Sequence, residues 1–234
     1  MSRVAIIPAR GGSKRIPRKN LKLFQGQPMI AYPIRAALLS GLFDRVIVST
    51  DDEEIASVAR ELGAEVPFMR PAALADDHAG TVEVIQHALR ELAAVGDHPD
   101  YTCCLYATAP LVLPEKLSEG FELLAAHPEK DFAFTVTDFA SPVQRALRVA
   151  ADGGVESLYP EFYETRSQDL ERAYHDAGQF YWGRTSAWLA GKAVHAPHSL
   201  PLILPRYLVQ DIDGPDDWHR AELMYAALLL EGDI

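Results

Sequence analysis

The sequence predicts an α/β fold of three layers, in which helices cover both faces of a mostly parallel central sheet. The first observation is that strand-like segments alternate with segments of helical periodicity over the first 137 residues. The second is that several strand segments are apolar throughout, which is typical of strands buried on both faces. The third is size, because 234 residues that are 48% apolar fit one domain with room for an insertion.

The alternation begins with residues 4–8, a short apolar run that is typical of a buried strand. Residues 28–40 follow with apolar side chains at helical spacing, and Gly41 ends this helix. Residues 46–48 form a second apolar strand. The helix at 52–62 opens with acidic residues, which favour a helix N-terminus, and it carries its apolar residues on one face.

The alternation continues with a short strand at residues 65–68 and an amphipathic helix at 81–95. Residues 102–106 are another apolar run and are predicted to be a strand. The helix at 114–126 has a proline at its start, where the missing N–H group costs nothing. A strand at 132–137 completes this part of the predicted sheet.

The alternation of strands and helices stops at about residues 138–175, which are polar and contain two prolines. This segment is predicted to be an insertion within a single domain that spans 1–234, or a contact between subunits. A strand at 179–183 then resumes the sheet, and a helix at 217–231 closes the chain.

The charge of the chain is unevenly distributed. The net charge is −11, yet residues 1–43 contain eight Lys and Arg and no Asp or Glu, so the other 191 residues carry −19. An acidic protein with one basic segment is a poor general nucleic-acid binder and is suited to holding a small polyanion. No apolar run approaches the roughly 20 residues that span a bilayer, so no membrane association is expected.

Two cysteines, Cys103 and Cys104, are neighbours in a predicted strand. Their side chains then point to opposite faces, so we expect two buried free thiols rather than a disulfide. Free thiols fit a reducing cytoplasm, and the N-terminus lacks the cationic and then apolar layout of a signal peptide. The three tryptophans are expected in the core, Asp52 as a helix cap, and His195 and His198 in a surface loop.

The basic residues cluster around a glycine pair that directly follows the first strand. Residues 5–22 read AIIPARGGSKRIPRKNLK. Gly11 and Gly12 allow a tight turn and a close approach to a ligand, and open N–H groups there can form an anion nest. Ligands of open α/β sheets bind beyond the carboxyl ends of strands, where this loop falls. The cations of the loop are Arg10, Lys14, Arg15, Arg18, Lys19 and Lys22.

The loop matches neither the P-loop spacing nor the G-x-G-x-x-G fingerprint. It is therefore predicted to bind a triphosphate with cationic side chains as well as backbone N–H groups. That arrangement suits a pyrophosphate leaving group, whose negative charge grows as the bond breaks. A solvated basic face is the alternative, but the glycines directly after a strand favour a binding site.

The segment PARGGSKRIPRKN resembles the N-terminal signature of the CMP-sugar-acid synthetases. Residues 48–51 resemble the second-strand motif of that family. Its nucleotide-binding loop is matched by residues 70–77, which include Asp76 and Asp77, together with Thr81. Residues 211–213 resemble its metal-binding pair. The resemblance covers nearly the whole chain and implies a Rossmann-like nucleotidyltransferase fold with a small dimerisation insertion.

The resemblance implies a role for each matching residue. Arg10, Lys14 and Asp213 are predicted to be catalytic. Thr81 is equally well explained as the N-cap of its helix. The predicted CTP-binding residues are Arg10, Gly11, Gly12, Ser13, Lys14, Lys19, Asn20, Arg70 and Thr81. The predicted sugar-acid-binding residues are Tyr106, Thr108, Arg145, Gln179 and Tyr181.

Asp211 and Asp213 are predicted to bind a divalent cation. They lie two apart on an extended segment, so their carboxylates point the same way, as a shared hard cation requires. The spacing alone favours a turn, because Asp-Gly-Pro-Asp at 213–216 is a turn sequence. The resemblance favours the metal pair and implies Mg²⁺ or another divalent cation as cofactor.

The implied reaction transfers CMP from CTP to the anomeric hydroxyl of a nine-carbon sugar acid and releases pyrophosphate. The stretches YATAPL at 106–111 and DAGQFYW at 176–182 look like the pseudaminic acid branch of the family. CMP-sialic or CMP-legionaminic acid synthesis is the alternative within the family. A non-catalytic nucleotide- or polyanion-binding protein is the alternative outside it, and the Asp211/Asp213 pair argues against that. A homodimer in the cytoplasm, without nucleic acid or membrane, is expected.

Overall fold

The computed structural model describes residues 1–76 and 79–232, and these form ten strands and six helices. The strands are β1 (Arg3–Pro8), β2 (Leu23–Phe24), β3 (Gln27–Pro28), β4 (Arg45–Ser49), β5 (Tyr101–Leu105), β6 (Phe132–Asp138), β7 (Leu147–Val149), β8 (Val155–Ser157), β9 (Tyr174–Arg184) and β10 (Ser199–Ile203). The helices are α1 (Ala31–Ser40), α2 (Glu53–Glu61), α3 (Thr81–Ala94), α4 (Pro114–Ala125), α5 (Thr185–Leu189) and α6 (Pro215–Glu231).

Six of the strands form one sheet in the order β10-β6-β9-β5-β1-β4. β9 is antiparallel to both of its neighbours, and the other adjacent strands are parallel. The predicted mostly parallel sheet is thereby confirmed. The carboxyl ends of the parallel strands and the beginning of β9 lie along one edge, where open α/β sheets bind ligands.

Helices cover both faces of this sheet, as predicted. The core on one face, beneath α1, α2 and α4, contains Ile7, Val48 and Phe180. The core on the other face, beneath α3 and α5, contains Ile6 and Trp188. These side chains alternate along the strands, because neighbouring residues point to opposite faces. None of the helices in the described ranges is long and apolar enough to cross a membrane.

A smaller aromatic core anchors the segment that follows the basic loop. The β2–β3 hairpin places Phe24 against Trp218 and Tyr225 of α6, in edge-to-face contacts with ring centroids 5.5 Å apart in each pair. Such pairs contribute roughly 0.5–1.5 kcal/mol each beyond the area that they bury. The hairpin and α6 therefore hold the C-terminal end of the basic loop in place, while its N-terminal end continues directly from β1.

Several local predictions are confirmed. Cys103 and Cys104 are buried free thiols. The three tryptophans are buried. Asp52 caps α2, since its carboxylate accepts hydrogen bonds from the backbone N–H groups of Glu54 and Ile55. Thr81 is not a cap, however, because it is the first residue of α3 and Gly80 precedes the helix as N-cap.

Other local predictions are wrong. Residues 65–68 do not form a strand, and only Glu65 bridges to Ile47. Pro67 lacks the N–H group that would continue the pairing. The sequence reasoning also missed the β2–β3 hairpin, α5 and β10. β10 contains Pro201, and it is tolerated there because β10 is an edge strand of the sheet.

Between β6 and β9 the chain leaves the sheet, at the position of the predicted insertion. β7 and β8 pair there as an antiparallel hairpin, and short 3₁₀ turns follow. Leu147, Val149 and Val155 on this hairpin are 63%, 76% and 62% exposed. The insertion therefore carries apolar surface that its own domain does not cover.

Candidate active site

The basic loop begins where β1 ends, at the ligand-binding edge of the sheet. Its fold depends on contacts with the loop after β4. The backbone N–H group of Gly11 donates to the Asp51 carboxylate at 3.0 Å. A Cβ atom at Gly11 would lie 2.6 Å from the Asp52 carboxylate, whereas one at Gly12 would meet nothing within 4 Å. The Gly11 N–H group is thus bound within the protein, which corrects the prediction that it is open to an anion.

A cavity of about 460 Å³ lies beside this loop, between the ends of β1 and β5. Asn20 is buried at its wall and fixes the loop, because its side-chain amide donates to the Arg10 carbonyl at 3.0 Å. The structure brings seven of the predicted site residues to this cavity. They are Arg10, Ser13, Lys14, Lys19, Asn20, Tyr106 and Thr108, and the other lining residues are Pro8, Arg15 and Ala107.

The six cations of the loop do not all face this cavity. Arg10, Lys14, Arg15 and Lys19 line it. Arg18 has positive φ (54°) and pairs with the carboxylates of Asp52 and Glu54, and the hydrogen bond to Asp52 raises the pKa of Arg18. The Lys22 ammonium lies 4.3 Å from the centre of the Trp218 ring. Four cations are therefore concentrated on one cavity, and the other two stabilise the loop from outside.

Lys19 and Arg15 connect the cavity to the predicted metal pair. The Lys19 ammonium donates to the Ile212 carbonyl at 2.6 Å, between the two aspartates in sequence. The Arg15 guanidinium forms an ion pair of 2.6 Å with Asp213. Desolvation lowers the pKa of Lys19, although the negative charges of Asp213 and Asp211 oppose this. The loop after β1 and the segment before α6 thus form one continuous charged surface.

The two aspartates are close enough to influence each other. Partial desolvation, and to a smaller extent the like charge of Asp213, raises the pKa of Asp211. Part of the Asp211 residue is still exposed to solvent. The backbone of Gly178 passes beside this carboxylate, and a Cβ atom there would lie 3.7 Å from the Asp211 carboxyl carbon. The Asp-Gly-Pro-Asp sequence is a helix start rather than a free turn, because Asp217 accepts hydrogen bonds from the backbone N–H groups of Asp213 and Gly214.

Arg70 lies buried below the basic loop. Its side chain is 4% exposed, and one of its terminal nitrogens is 3.7 Å from the Asp51 carboxylate. Burial lowers the pKa of Arg70. Its Nε and Nη2 atoms have no hydrogen-bond partner among the residues that the structure describes. A buried guanidinium with unpaired N–H groups is costly, so this site favours a ligand that supplies acceptor oxygens. Asp77, in the same predicted loop, lies outside the described residues.

The aromatic residues of the predicted sugar site form one hydrogen-bonded group. The Tyr106 hydroxyl donates to the Tyr181 hydroxyl at 3.3 Å, and it lies 3.5 Å from the Thr81 hydroxyl. The Tyr181 hydroxyl donates to the Asp176 carboxylate. Burial raises the pKa of both tyrosines, so they stay protonated. The Thr81 side chain therefore faces Tyr106, the member of this group that lines the cavity.

Two other predicted sugar-binding residues have structural contacts instead. Gln179 is 3% exposed, and its amide donates to the Leu208 carbonyl at 2.6 Å. The Arg145 guanidinium donates to the carbonyls of Phe162 and Tyr163, each at 3.0 Å, inside the insertion. Neither residue lines the cavity, because its hydrogen-bonding groups are used to hold backbone in place. A role for them in binding the substrate stays a prediction.

Sequence reasoning gave no site role to three polar residues of this region. Asp51 had a signal, because it directly follows a buried strand at the ligand-binding edge. Asp176 begins the recognised stretch at 176–182, and His195 lies in a surface loop as predicted, but no sequence pattern indicated that the two side chains pair. They lie 19 residues apart, and their pairing at 3.0 Å depends on how the loop after α5 returns to the sheet.

Comparisons with known proteins agree with this geometry. The sequence profile of the cytidylyltransferase family matches residues 4–150. The chain is 46% identical to a pseudaminic acid cytidylyltransferase of Campylobacter jejuni, over 96% of this chain and 97% of that protein. It is 30% identical to the CMP-N,N'-diacetyllegionaminic acid synthase of Legionella pneumophila, over 94% of each.

The fold is also similar to that of a solved structure. A CMP:2-keto-3-deoxy-manno-octonic acid synthetase complexed with CTP superposes with a TM-score of 0.70 and 18% identity, covering 97% of this chain and 99% of the other. At this identity the likeness bears on the fold, and it confirms the predicted nucleotidyltransferase architecture.

Proposed function

This chain belongs to the cytidylyltransferase family, and we propose that it transfers the cytidylyl group from CTP to the anomeric hydroxyl of pseudaminic acid. The observation that carries the choice of sugar is the 46% identity to a pseudaminic acid cytidylyltransferase over 97% of that protein. The identity to the legionaminic acid enzyme is lower, at 30%, and legionaminic and sialic acid are the alternative substrates.

The cavity supports binding of the CTP triphosphate by Arg10, Lys14 and Lys19. These cations, with Arg15, face one volume of about 460 Å³. In the reaction the anomeric hydroxyl loses its proton to a base or to water and its oxygen bonds to the α-phosphorus of CTP, the bond from that phosphorus to the bridging oxygen breaks, and pyrophosphate leaves with the electron pair. Fixed cations at the leaving group stabilise the charge that develops there, and binding both substrates in one cavity aligns the attack.

We expect Asp211 and Asp213 to hold a divalent cation, which would be Mg²⁺. Carboxylate oxygens are its preferred protein ligands, and Mg²⁺ commonly uses one or two of them together with water and phosphate oxygens. The missing side chain at Gly178 leaves space beside Asp211. When bound, the cation would neutralise phosphate charge.

A homodimer built on the insertion is a further part of this proposal. Leu147, Val149 and Val155 expose apolar surface on one hairpin, and exposed apolar patches of this kind are typical of protein–protein contacts. We expect the purified chain to have the mass of a dimer by light scattering, and Val149→Asp with Val155→Asp to give a monomer. A monomeric wild-type mass at micromolar concentration would contradict the dimer. The buried free thiols support a cytoplasmic location.

Pyrophosphate release from CTP tests the proposed function directly. The purified chain is mixed with CTP, Mg²⁺ and pseudaminic, legionaminic or N-acetylneuraminic acid in turn, and products are identified by mass. We expect CMP-pseudaminic acid as the major product when the sugars compete for limiting CTP. CMP-sialic acid as the major product would replace the sugar but keep the reaction. If the chain binds CTP but releases no pyrophosphate with any of the three acids, the proposed catalytic activity is wrong and the chain is a nucleotide-binding protein.

A further inference from the structure

A histidine that the reaction has not used, His195, lies beside Tyr181, which is hydrogen-bonded to Tyr106 of the cavity wall. We propose that His195 is a specificity-determining residue for the sugar acid and that Asp176 is the positioning residue that orients it. In this proposal, which rests on the proposed function, the imidazole accepts a hydrogen bond from an N–H or O–H group on the part of the sugar that is remote from the anomeric carbon.

Asp176 is placed by an irregularity in the sheet. The register between β6 and β9 shifts between Phe134 and Val136, and Asp176 lies at this shift. One of its carboxylate oxygens accepts the backbone N–H group of Gly178 at 2.7 Å, which fixes the carboxyl group to the chain. The other oxygen accepts the Tyr181 hydroxyl and faces Nε2 of His195 at 3.0 Å. The carboxylate therefore joins a buried tyrosine to an exposed histidine.

The hydrogen bond to Asp176 decides which nitrogen of His195 is available. A carboxylate only accepts hydrogen bonds, so Nε2 must carry the hydrogen, and in a neutral imidazole Nδ1 is then an acceptor. The His195 side chain is 63% exposed. Its Nδ1 atom has no hydrogen-bond partner among the described residues. The structure thus holds an oriented acceptor at the surface without an internal use for it.

The surroundings of His195 point to the kind of group that it accepts. Its ring centre lies 5.0 Å from that of Phe134 and 6.2 Å from that of Tyr181. An acceptor beside aromatic faces suits an acylamido group, which offers an N–H donor next to an apolar methyl group. A fully hydroxylated tail would fit less well, because its hydroxyl groups would meet the ring surfaces without partners.

The hydrogen bonds also connect His195 to the cavity. The Tyr106 hydroxyl, which belongs to the cavity wall, donates to Tyr181, and Tyr181 donates to the same Asp176 oxygen that holds His195. Asp176 lies near the start of β9, which is antiparallel, so it is at the ligand-binding edge of the sheet. A sugar acid whose anomeric end is in the cavity would extend along this group towards His195.

Steady-state kinetics of His195→Ala test the proposal. We expect the KM for pseudaminic acid to rise about 5- to 10-fold, because one hydrogen bond to the sugar is lost. The KM for CTP and the Tm should not change. His195→Asn, which keeps an acceptor near the Nδ1 position, should recover part of the affinity. His219→Ala, the same change at an exposed position on α6, is the matched control and should behave as wild type.

Asp176→Asn tests the positioning role separately. An amide can present its NH₂ group to Nε2, which would reverse the imidazole and convert Nδ1 into a donor. We therefore expect the same rise in KM as in His195→Ala, and no further rise in the double variant, because the two residues act as one unit. Independent structural effects would add instead, and additive changes in KM would overturn the positioning role.

The outcomes separate this inference from the proposed function. Wild-type chain that releases no pyrophosphate with any nine-carbon acid would overturn the proposed function before a variant is measured. Active wild type together with an unchanged KM for the sugar in His195→Ala would overturn the inference alone. Equal rises in the KM values for CTP and sugar, with a lower Tm, would also overturn it, because they would indicate a structural role.

Discussion

Lys19→Met is the change that best separates binding from stability in the basic loop. Methionine fills a similar volume without the charge. Lys19 lines the cavity and lies next to the aspartate pair, so the substitution removes a charge-assisted contact to the CTP phosphates. Such contacts contribute roughly 1.5–3 kcal/mol each. We therefore expect kcat/KM for CTP to fall by about 10- to 150-fold.

The same change should leave the fold about as stable as before. Desolvation lowers the pKa of Lys19 in the folded chain, so the unfolded chain binds this proton more readily. The protonated side chain therefore costs stability at pH values below the lowered pKa, and this cost is lost as the pH rises towards the unfolded value. Methionine removes the cost at neutral pH but also removes the 2.6 Å hydrogen bond to the Ile212 carbonyl. These two effects oppose each other, and we expect Tm to change by less than about 4 °C.

Pyrophosphate release at varied CTP concentrations and a thermal melt measure the two quantities. Lys22→Met is the matched control, because Lys22 is an exposed lysine of the same loop whose ammonium lies over the Trp218 ring and not in the cavity. We expect its kcat/KM to stay within about twofold of wild type. If Lys19→Met kept nearly all of the activity, or if Lys22→Met lost as much, the assignment of the cavity to the triphosphate would be wrong.

Three further changes test other parts of the site. Asp213→Asn should weaken Mn²⁺ binding, measured by electron paramagnetic resonance, and lower kcat by about 10²-fold or more, since the amide keeps the shape but not the charge. Asp216→Asn is the control, and full activity in excess EDTA would refute the need for a metal. Gly11→Ala should cost about 1–3 kcal/mol through the 2.6 Å approach of the new Cβ to Asp52, whereas Gly12→Ala should cost little, and equal Tm values would contradict this. Arg70→Met should raise the KM for CTP, because it removes N–H groups that have no hydrogen-bond partner among the described residues of the ligand-free chain; a lower Tm at unchanged KM would assign Arg70 to the fold.

The parts of the fold that could be predicted are those with a long periodic signal. β1, β4 and β5 are apolar runs, and α3 carries its apolar residues on one face, so burial alone identifies them. β10 could not be found in this way, because Pro201 and partial exposure at the sheet edge remove the signal of a buried strand. Residues 65–68 gave the opposite error, since their composition favours a strand but Pro67 prevents continued pairing.

The same distinction applies to the candidate site: features encoded by consecutive residues could be predicted, and features that depend on the assembled sheet could not. The basic loop could be predicted because its glycines and cations are consecutive in sequence and follow a strand. The arrangement of Tyr106, Tyr181 and Asp176 could not, because it depends on the shifted register between β6 and β9, which no local pattern encodes. Gln179 lies within a recognisable motif, but its amide donates to the Leu208 carbonyl and the residue does not line the cavity, so its role in substrate binding stays a prediction.

The positive charges of Arg15 and Lys19 explain how two neighbouring carboxylates are tolerated in the ligand-free chain. Asp211 and Asp213 repel each other, and this repulsion adds to desolvation in raising the pKa of Asp211. Arg15 pairs with Asp213 at 2.6 Å, and Lys19 lowers the pKa of Asp211 in opposition to that repulsion. The same two cations line the cavity. If the cavity binds a triphosphate as proposed, the phosphates would attract these cations and leave the carboxylates less compensated, which would favour a divalent cation in their place. We therefore expect the binding of nucleotide and of metal to be coupled through these two side chains.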